Sequence, residues 1–197
     1  MGKAEQTRQM IIEKAAPIFN KKGYLGTSIS DLTDSTGLTK GAIYGNFESK
    51  NEIALAAFNF NINTIITELK SDIDKADNAI EKLLSISNYF LRNASATYKR
   101  GGCPITNAAA DSDDTNIAIN KKVREIIEGL RKAIIQIVNE GISKKEIITS
   151  ANPDSFAAVV ISLIQGGNLI SKASGNMDYL VNSIKQIKIL IQGIRKK

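Results

Sequence analysis

The stretch "TGLTKGAIYGNFESK", residues 36–50, decides how the rest of the chain is read. Just before it, Thr27-Ser28 offers hydroxyl caps for a short helix running to about Ser35, with Ile29 and Leu32 turned inward, and Gly37 ends that helix. After Leu38, Thr39 can cap a second short helix over about residues 40–46. Ser49 caps a longer helix that begins near Lys50 and carries Ile53, Ala54, Ala57, Phe58 and Ile62 at helical spacing. Two short helices joined across a glycine have the dimensions of a helix-turn-helix, whose second helix enters the DNA major groove. Gly41 and Ala42 in its leading turn permit close backbone approach, Lys40 can reach a phosphate or a guanine edge, and Tyr44 can donate its hydroxyl to a phosphate. Phe47 and Leu38 are assigned to the core beneath. Lys50 at a helix start resembles a phosphate clamp, with the Thr27 and Ser28 hydroxyls doing similar work at the other end. Glycine-linked helix pairs also serve as plain packing units, so the residues alone leave both readings open.

Working outward, apolar residues recur at helical spacing almost everywhere, and no period-2 alternation persists. Ile11, Ala15, Ile18 and Phe19 give one face of a first helix over residues 5–21, stopped by Gly23, with a kink expected at Pro17. Further stripes run from Ile80 to Leu91, Ile117 to Val138, Phe156 to Ile170 and Leu180 to Ile194. The breaks fall at Lys99-Arg100-Gly101-Gly102-Cys103-Pro104, Ser150-Ala151-Asn152-Pro153 and Ser174-Gly175-Asn176. An all-α fold follows, with the helix from Lys50 connecting residues 1–50 to a larger domain over 51–197.

Composition narrows the chemistry. The chain has 197 residues, 43% of them hydrophobic, enough for a proper core. It has no histidine and one cysteine, Cys103, which removes Ser-His-Asp and Cys-His catalysis, multi-cysteine metal sites and any intrachain disulfide. An enzyme is therefore disfavoured, and neither cofactor nor metal is expected. Asn107, Asp111, Asp113 and Asp114 cluster after the Gly101-Gly102 turn, but the spacing of a calcium loop is missing, so a solvated loop is the reading. Apolar runs such as Ala157 to Ile161 fall far short of the roughly 18 apolar residues of a membrane-spanning helix. The polar start, Met1 to Gln6, lacks the apolar centre of a signal peptide, so the cytoplasm is expected. The net charge of +6 is concentrated in the tail: Lys185, Lys188, Arg195, Lys196 and Lys197 contribute five positive charges, and net charge is weak support for polyanion binding.

From Ala15 to Leu55 the chain resembles the N-terminal domain of the tetracycline-repressor family of bacterial transcription regulators. The resemblance rests on the Phe-x-x-x-Gly-Tyr-x-x-Thr-Ser opening from Phe19 to Ser28 and the Gly-x-x-Lys-Gly-x-x-Tyr-x-x-Phe-x-Ser-Lys close from Gly37 to Lys50. It implies DNA-facing roles for Ser28, Thr39, Lys40, Ala42, Tyr44, Asn46 and Lys50, to which the residue-level reading adds Thr27 and Gly41. The sequence departs at Gly45-Asn46, where many members carry an aromatic or histidine beside a histidine. "GGCPITNAAAD", residues 101–111, is similar to a Gly-Cys-x-x-x-Asn-x-Ala-x-Glu stretch of one subgroup, with Asp111 in place of the glutamate.

The resemblance further implies a homodimer on a palindromic operator, an effector pocket among the middle helices and dimerisation through the last two. Phe60, Ile65, Leu69, Ile86, Tyr89, Phe90, Cys103, Asn107, Ile127 and Phe156 are the pocket candidates, which suits a small, mainly apolar effector. Phe156, Val160, Leu163, Ile164, Gly167, Leu180, Ile184, Ile187 and Ile191 are the interface candidates, although periodicity alone does not separate interface from core. The expected function is repression relieved by that effector. Electrophile or redox sensing through Cys103 is the alternative, an all-α enzyme or carrier and a protein-interaction module the more distant rivals.

Overall fold

The computed structural model describes residues 2–112 and 116–196, so Asp113 and Asp114 of the expected polar loop lie outside the described residues. The described residues form α1 (Lys3–Gly26), α2 (Ile29–Thr36), α3 (Lys40–Tyr44), α4 (Lys50–Asp74), α5 (Ala79–Lys99), α6 (Pro104–Ser112), α7 (Ile117–Ser143), α8 (Pro153–Ser174) and α9 (Asp178–Ile194). Among them the only β pairing is an isolated bridge between Ile147 and Arg195. The fold is all-α, with an N-terminal helix-turn-helix and a C-terminal helical domain.

Two compact units divide the chain, one of Met1–Ile65 with Arg100–Val123, the other of Ile66–Lys99 with Arg124–Lys197. A single cut after residue 50 does not describe this packing, because the first half of α4, α6 and the start of α7 belong with the helix-turn-helix. In the first unit Ile11, Ala15 and Ala16 of α1, Leu32 of α2, Ile43 of α3 and Ile53 of α4 are essentially solvent-free. Truncating any of the larger ones would cost about 2–5 kcal/mol in transfer and cavity terms.

Pro17 is accommodated on the exposed side of α1, and the departure from helical backbone comes later, at Gly23 (φ 75°, ψ 173°). A Cβ there would lie 2.8 Å from Asp111 Oδ1, so this position requires glycine for space as well as for its dihedrals.

In the second unit α8 packs on α9, and α9 also packs on α5. Asn152 caps α8 by accepting from Ser155 N–H at 2.9 Å, with Pro153 at the first turn. At Gly167 a Cβ would meet Ser183 Oγ at 2.9 Å and Leu180 Cα at 3.0 Å, so only glycine permits this helix approach. Ser171 Oγ accepts from Leu180 N–H at 3.0 Å at the same buried junction. Counting uninterrupted apolar runs underrates α8: an 18-residue window of it reaches a mean hydropathy of 1.4, long and apolar enough by composition to cross a membrane. Its Phe156, Ala157, Val160, Ile164, Gly167 and Ser171 are instead buried in the protein.

Candidate nucleic-acid interface

The helix pair is closed by its own side chains. Ser28 Oγ accepts from Asp31 N–H at 3.1 Å while Asp31 Oδ2 accepts from Ser28 N–H at 2.8 Å, a reciprocal capping box that starts α2. Lys22 Nζ donates to Asp31 Oδ1 at 2.5 Å. That bond, followed by those from the Ser28 backbone and hydroxyl, lowers the Asp31 carboxyl to about 2. Gly37 ends α2 in the left-handed region (φ 71°), returning its N–H to Thr33 O at 2.8 Å. Thr39 Oγ1 then accepts from Ala42 N–H at 3.2 Å and starts α3.

The result separates inward from outward residues cleanly. Leu32, Ile43 and Phe47 are buried, whereas Thr39, Lys40, Gly41, Ala42 and Tyr44 are exposed together along the leading edge of α3. Lys40 pairs with no group among the described residues, and its ammonium projects from the exposed face as a mobile cation suited to phosphate or a base edge. Asn46, half-buried, donates to Ala42 O at 2.9 Å and finishes the helix. Ser28 is exposed at the start of α2.

Two candidates are placed differently from expectation. Thr27 is buried, with its hydroxyl donating to Gly23 O at 2.7 Å, so this side chain is not available to a phosphate. Lys50 Nζ donates to Thr27 O at 2.9 Å and lies 4.6 Å from the Tyr24 ring centroid. Its ammonium thus holds the start of α4 to the loop before α2, and satisfying the Thr27 carbonyl competes with reaching DNA.

Residues the sequence reading did not single out complete this scaffold. Arg8 lies 4.4 Å from the Phe47 ring centroid and donates to Glu52 Oε1 at 2.6 Å. The Tyr24 hydroxyl donates to Asn51 Oδ1, which Asn116 Nδ2 also reaches at 3.3 Å. The 101–111 stretch joins in from α6: Asn107 Nδ2 donates to Asn20 O at 3.0 Å, and Asp111 Oδ2 accepts from Tyr24 N–H. The Gly-Tyr of the opening motif and the 101–111 stretch marked some of these residues but not their pairing, because such long-range partners leave no periodic trace. A cavity of about 40 Å³ lies here, lined by Phe19, Tyr24, Ala54, Phe58, Asn107 and Asp111 among others. That is room for a few waters and far less than the roughly 300–1,000 Å³ of a small-molecule pocket.

The remaining candidates fall in both units. Of the pocket residues, Phe60, Ile65, Cys103 and Asn107 are in the first unit and Leu69, Ile86, Tyr89, Phe90, Ile127 and Phe156 in the second. Asn107 lines the small cavity. Tyr89 is buried, donates its hydroxyl to Glu68 Oε2 at 3.0 Å and meets Phe90 edge-on at 5.4 Å. Cys103 is buried, and desolvation pushes its thiol pKa up, which disfavours the thiolate that sensing chemistry needs. Among the interface candidates, Phe156, Val160, Ile164, Gly167, Leu180, Ile184, Ile187 and Ile191 are buried within a single chain, and Leu163 is half-buried. The chain itself covers these residues wholly or in large part, with α9 packed on both α8 and α5. The apolar groups that face outward on the same helices are Val159, Leu169 and Ile170 on α8 and Tyr179, Ile189 and Leu190 on α9.

Comparison with known proteins agrees with this architecture. Residues 11–57 match the family described as "Bacterial regulatory proteins, tetR family", and residues 79–187 match "Tetracyclin repressor-like, C-terminal domain". A TetR-family transcriptional regulator from Cytophaga hutchinsonii is 38% identical, with a TM-score of 0.93 over 100% of this chain and 98% of that one. A TetR regulator from Chloroflexus aurantiacus is 31% identical, with a TM-score of 0.92 over the whole of both chains. The HTH-type transcriptional repressor DhaR of Mycobacterium sp. strain GP1 is 26% identical over 88% of this chain and 86% of its own length. The class that fold and helix pair define is thus a helix-turn-helix transcriptional regulator rather than an enzyme. The chain belongs to the tetracycline-repressor family.

Proposed function

We propose that the protein is a homodimeric repressor that lays α3 of each copy into successive major grooves of a palindromic duplex and leaves it when a small, mainly apolar molecule binds. The observation that carries the DNA-binding face is the co-exposure of Thr39, Lys40, Gly41, Ala42 and Tyr44 over a core made by Ile43 and Phe47. Small residues at the tip allow backbone approach, Lys40 supplies the mobile cation, and the Tyr44 hydroxyl supplies a neutral donor to phosphate. Ser28 and Asn46 flank this surface, and Lys50 acts by holding the scaffold. Repression follows the name of the DhaR relative.

A second copy is the occupant proposed for the apolar outer face of α8 and α9. Ile189 is 61% exposed and Tyr179 50%, on helices whose opposite faces are already used for the chain's own core. Association would bury these side chains symmetrically and set the spacing of two α3 helices. For the effector, the second-unit residues Leu69, Ile86, Phe90 and Ile127 offer apolar lining, with Tyr89 and Glu68 as polar anchors. An effector that prefers the form unable to bind DNA by roughly 1–3 kcal/mol already changes operator affinity 5- to 150-fold.

The DNA-binding face is tested by charge reversal at the tip of α3. Lys40→Glu should leave thermal melting unchanged and abolish retention of labelled duplex in a mobility-shift assay. Retention equal to the parent's would move the interface to another surface.

A further inference from the structure

Resting on the assignment of α3 to DNA, we infer that Asp111 and Asn107 of α6 are positioning residues for DNA binding, acting through the break in α1 without touching the duplex. The break is at Gly23, and the two backbone groups that an unbroken helix would pair across it, i to i−4, are Asn20 C=O and Tyr24 N–H. Each is taken up from α6. Asn107 Nδ2 donates to Asn20 O at 3.0 Å, and Asp111 Oδ2 accepts from Tyr24 N–H. Asn107 also donates to Asn20 Oδ1 at 3.0 Å and to Gly101 O at 2.9 Å, while Asn20 Nδ2 returns bonds to Arg100 O at 2.8 Å and Gly102 O at 3.0 Å. Five of these hydrogen bonds tie residues 100–111 to Asn20 and Tyr24, on either side of one interruption.

What lies beyond the interruption is the scaffold of the helix pair. Thr27 Oγ1 donates to Gly23 O at 2.7 Å, and Thr27 O accepts from Lys50 Nζ at 2.9 Å. Tyr24 carries the Lys50 ammonium over its ring and bonds Asn51 with its hydroxyl. The starts of α2 and α4 are therefore referenced to the backbone of residues 23–27, which Asp111 holds at Tyr24 N–H while Asn107 fixes Asn20 on the near side of the break. With both partners present, the segment is set before DNA arrives. Without them, several placements of residues 24–28 become accessible, the binding-competent one is only a fraction of the total, and the apparent dissociation constant rises by the inverse of that fraction.

The hydrogen bond, and not the charge, is the operative property of Asp111. A carboxylate near a DNA-binding surface repels phosphate, so removing its charge alone should leave affinity unchanged or raise it. This makes the Ala and Asn variants diverge. The test uses the full chain and a duplex selected by the parent, with binding measured by fluorescence anisotropy across a salt series. Active protein is first counted by stoichiometric titration and folding checked by thermal melting. Asp111→Ala and Asn107→Ala should bind the same duplex roughly 5- to 50-fold more weakly, the effect of freeing a shielded polar group. The salt slope should stay that of the parent, since no phosphate contact is lost. Asp111→Asn keeps an acceptor oxygen and should bind within about twofold of the parent. Asn107→Ala and Asp111→Asn decide the matter even where Asp111→Ala melts too low to assay. Alanine variants that fold and bind like the parent, or an Asn variant as weak as Ala, would overturn the inference. A parent that selects no duplex would instead remove the DNA-binding reading beneath it.

Discussion

The helix pair from Ser28 to Phe47 and the pair formed by α8 and α9 are both two-helix units carrying regularly spaced apolar residues, but the structure uses them in opposite ways. In α2 and α3 the aliphatic positions larger than alanine are few: Leu32 and Ile43 are buried and Ile29 is half-buried. Everything else on the leading edge of α3 is polar or small, so inward and outward follow directly from residue type. In α8 and α9 apolar residues cover more than one face. Ile164 and Ile187 are buried while Ile170 and Ile189, of the same type, are exposed. Periodicity identifies a stripe, but with two stripes on one helix it does not say which one the chain keeps for itself. The difference teaches that the strongest repeating apolar pattern marks the fold's own core, and that an interface is to be sought in the apolar residues left over.

That distinction is sharpest at neighbouring isoleucines of α9. Ile187→Glu buries an unpaired charge at a position 1% exposed and should destabilise the fold by about 4 kcal/mol or more, seen as loss of cooperative melting. Ile189→Glu should keep the helical circular-dichroism signal and melt cooperatively, while weakening dimer association roughly tenfold or more in sedimentation. Equal outcomes at the two sites would erase the comparison.

The two lysines at the helix-turn-helix should separate in the same manner. Lys40→Ala should lower the slope of log affinity against log salt by about one, the signature of one lost phosphate contact. Lys50→Ala should instead cost on the order of 1 kcal/mol of stability through the Thr27 carbonyl and Tyr24 ring, with a slope close to the parent's. A slope change for Lys50→Ala alone would exchange their roles.

The smallest effect concerns pH. The Asp31 carboxyl is lowered from 3.8 to about 2 by Lys22 and by the Ser28 cap, so its ionised form favours the folded state. Its contribution is complete above the unfolded value and is lost as pH falls through the folded one. The melting advantage of the parent over Asp31→Asn should therefore be constant near neutrality, shrink between about pH 4 and pH 2, and vanish below. An advantage that persists at the acid end would assign it to another cause.

Much of this was legible from residues 19–50, because caps, a terminating glycine and a sparse apolar pattern are local signals. Ser28, Gly37, Thr39 and Ser49 all do locally what their types predict: Ser49 Oγ, for one, accepts from Glu52 N–H at 3.2 Å. The partners of Lys50 and Thr27 were not legible, because what a side chain meets at a helix start is a tertiary property. Their partners, Tyr24 and Gly23, are set by a backbone break, and the Asp111 and Asn107 side chains that reach it are some 87 residues away. The interface candidates of α8 and α9 are a different case, because an excess of equivalent apolar positions makes core and interface look alike in the periodicity.

The most direct test of the central account is selection of bound duplexes from a random pool by the full-length parent. Two copies that present exposed α3 tips across a two-fold axis should enrich an inverted repeat, with half-sites separated by about one helical turn or a multiple of it. Enrichment of one unrepeated half-site would contradict the symmetric dimer, and recovery of no preferred sequence would contradict the role assigned to α3.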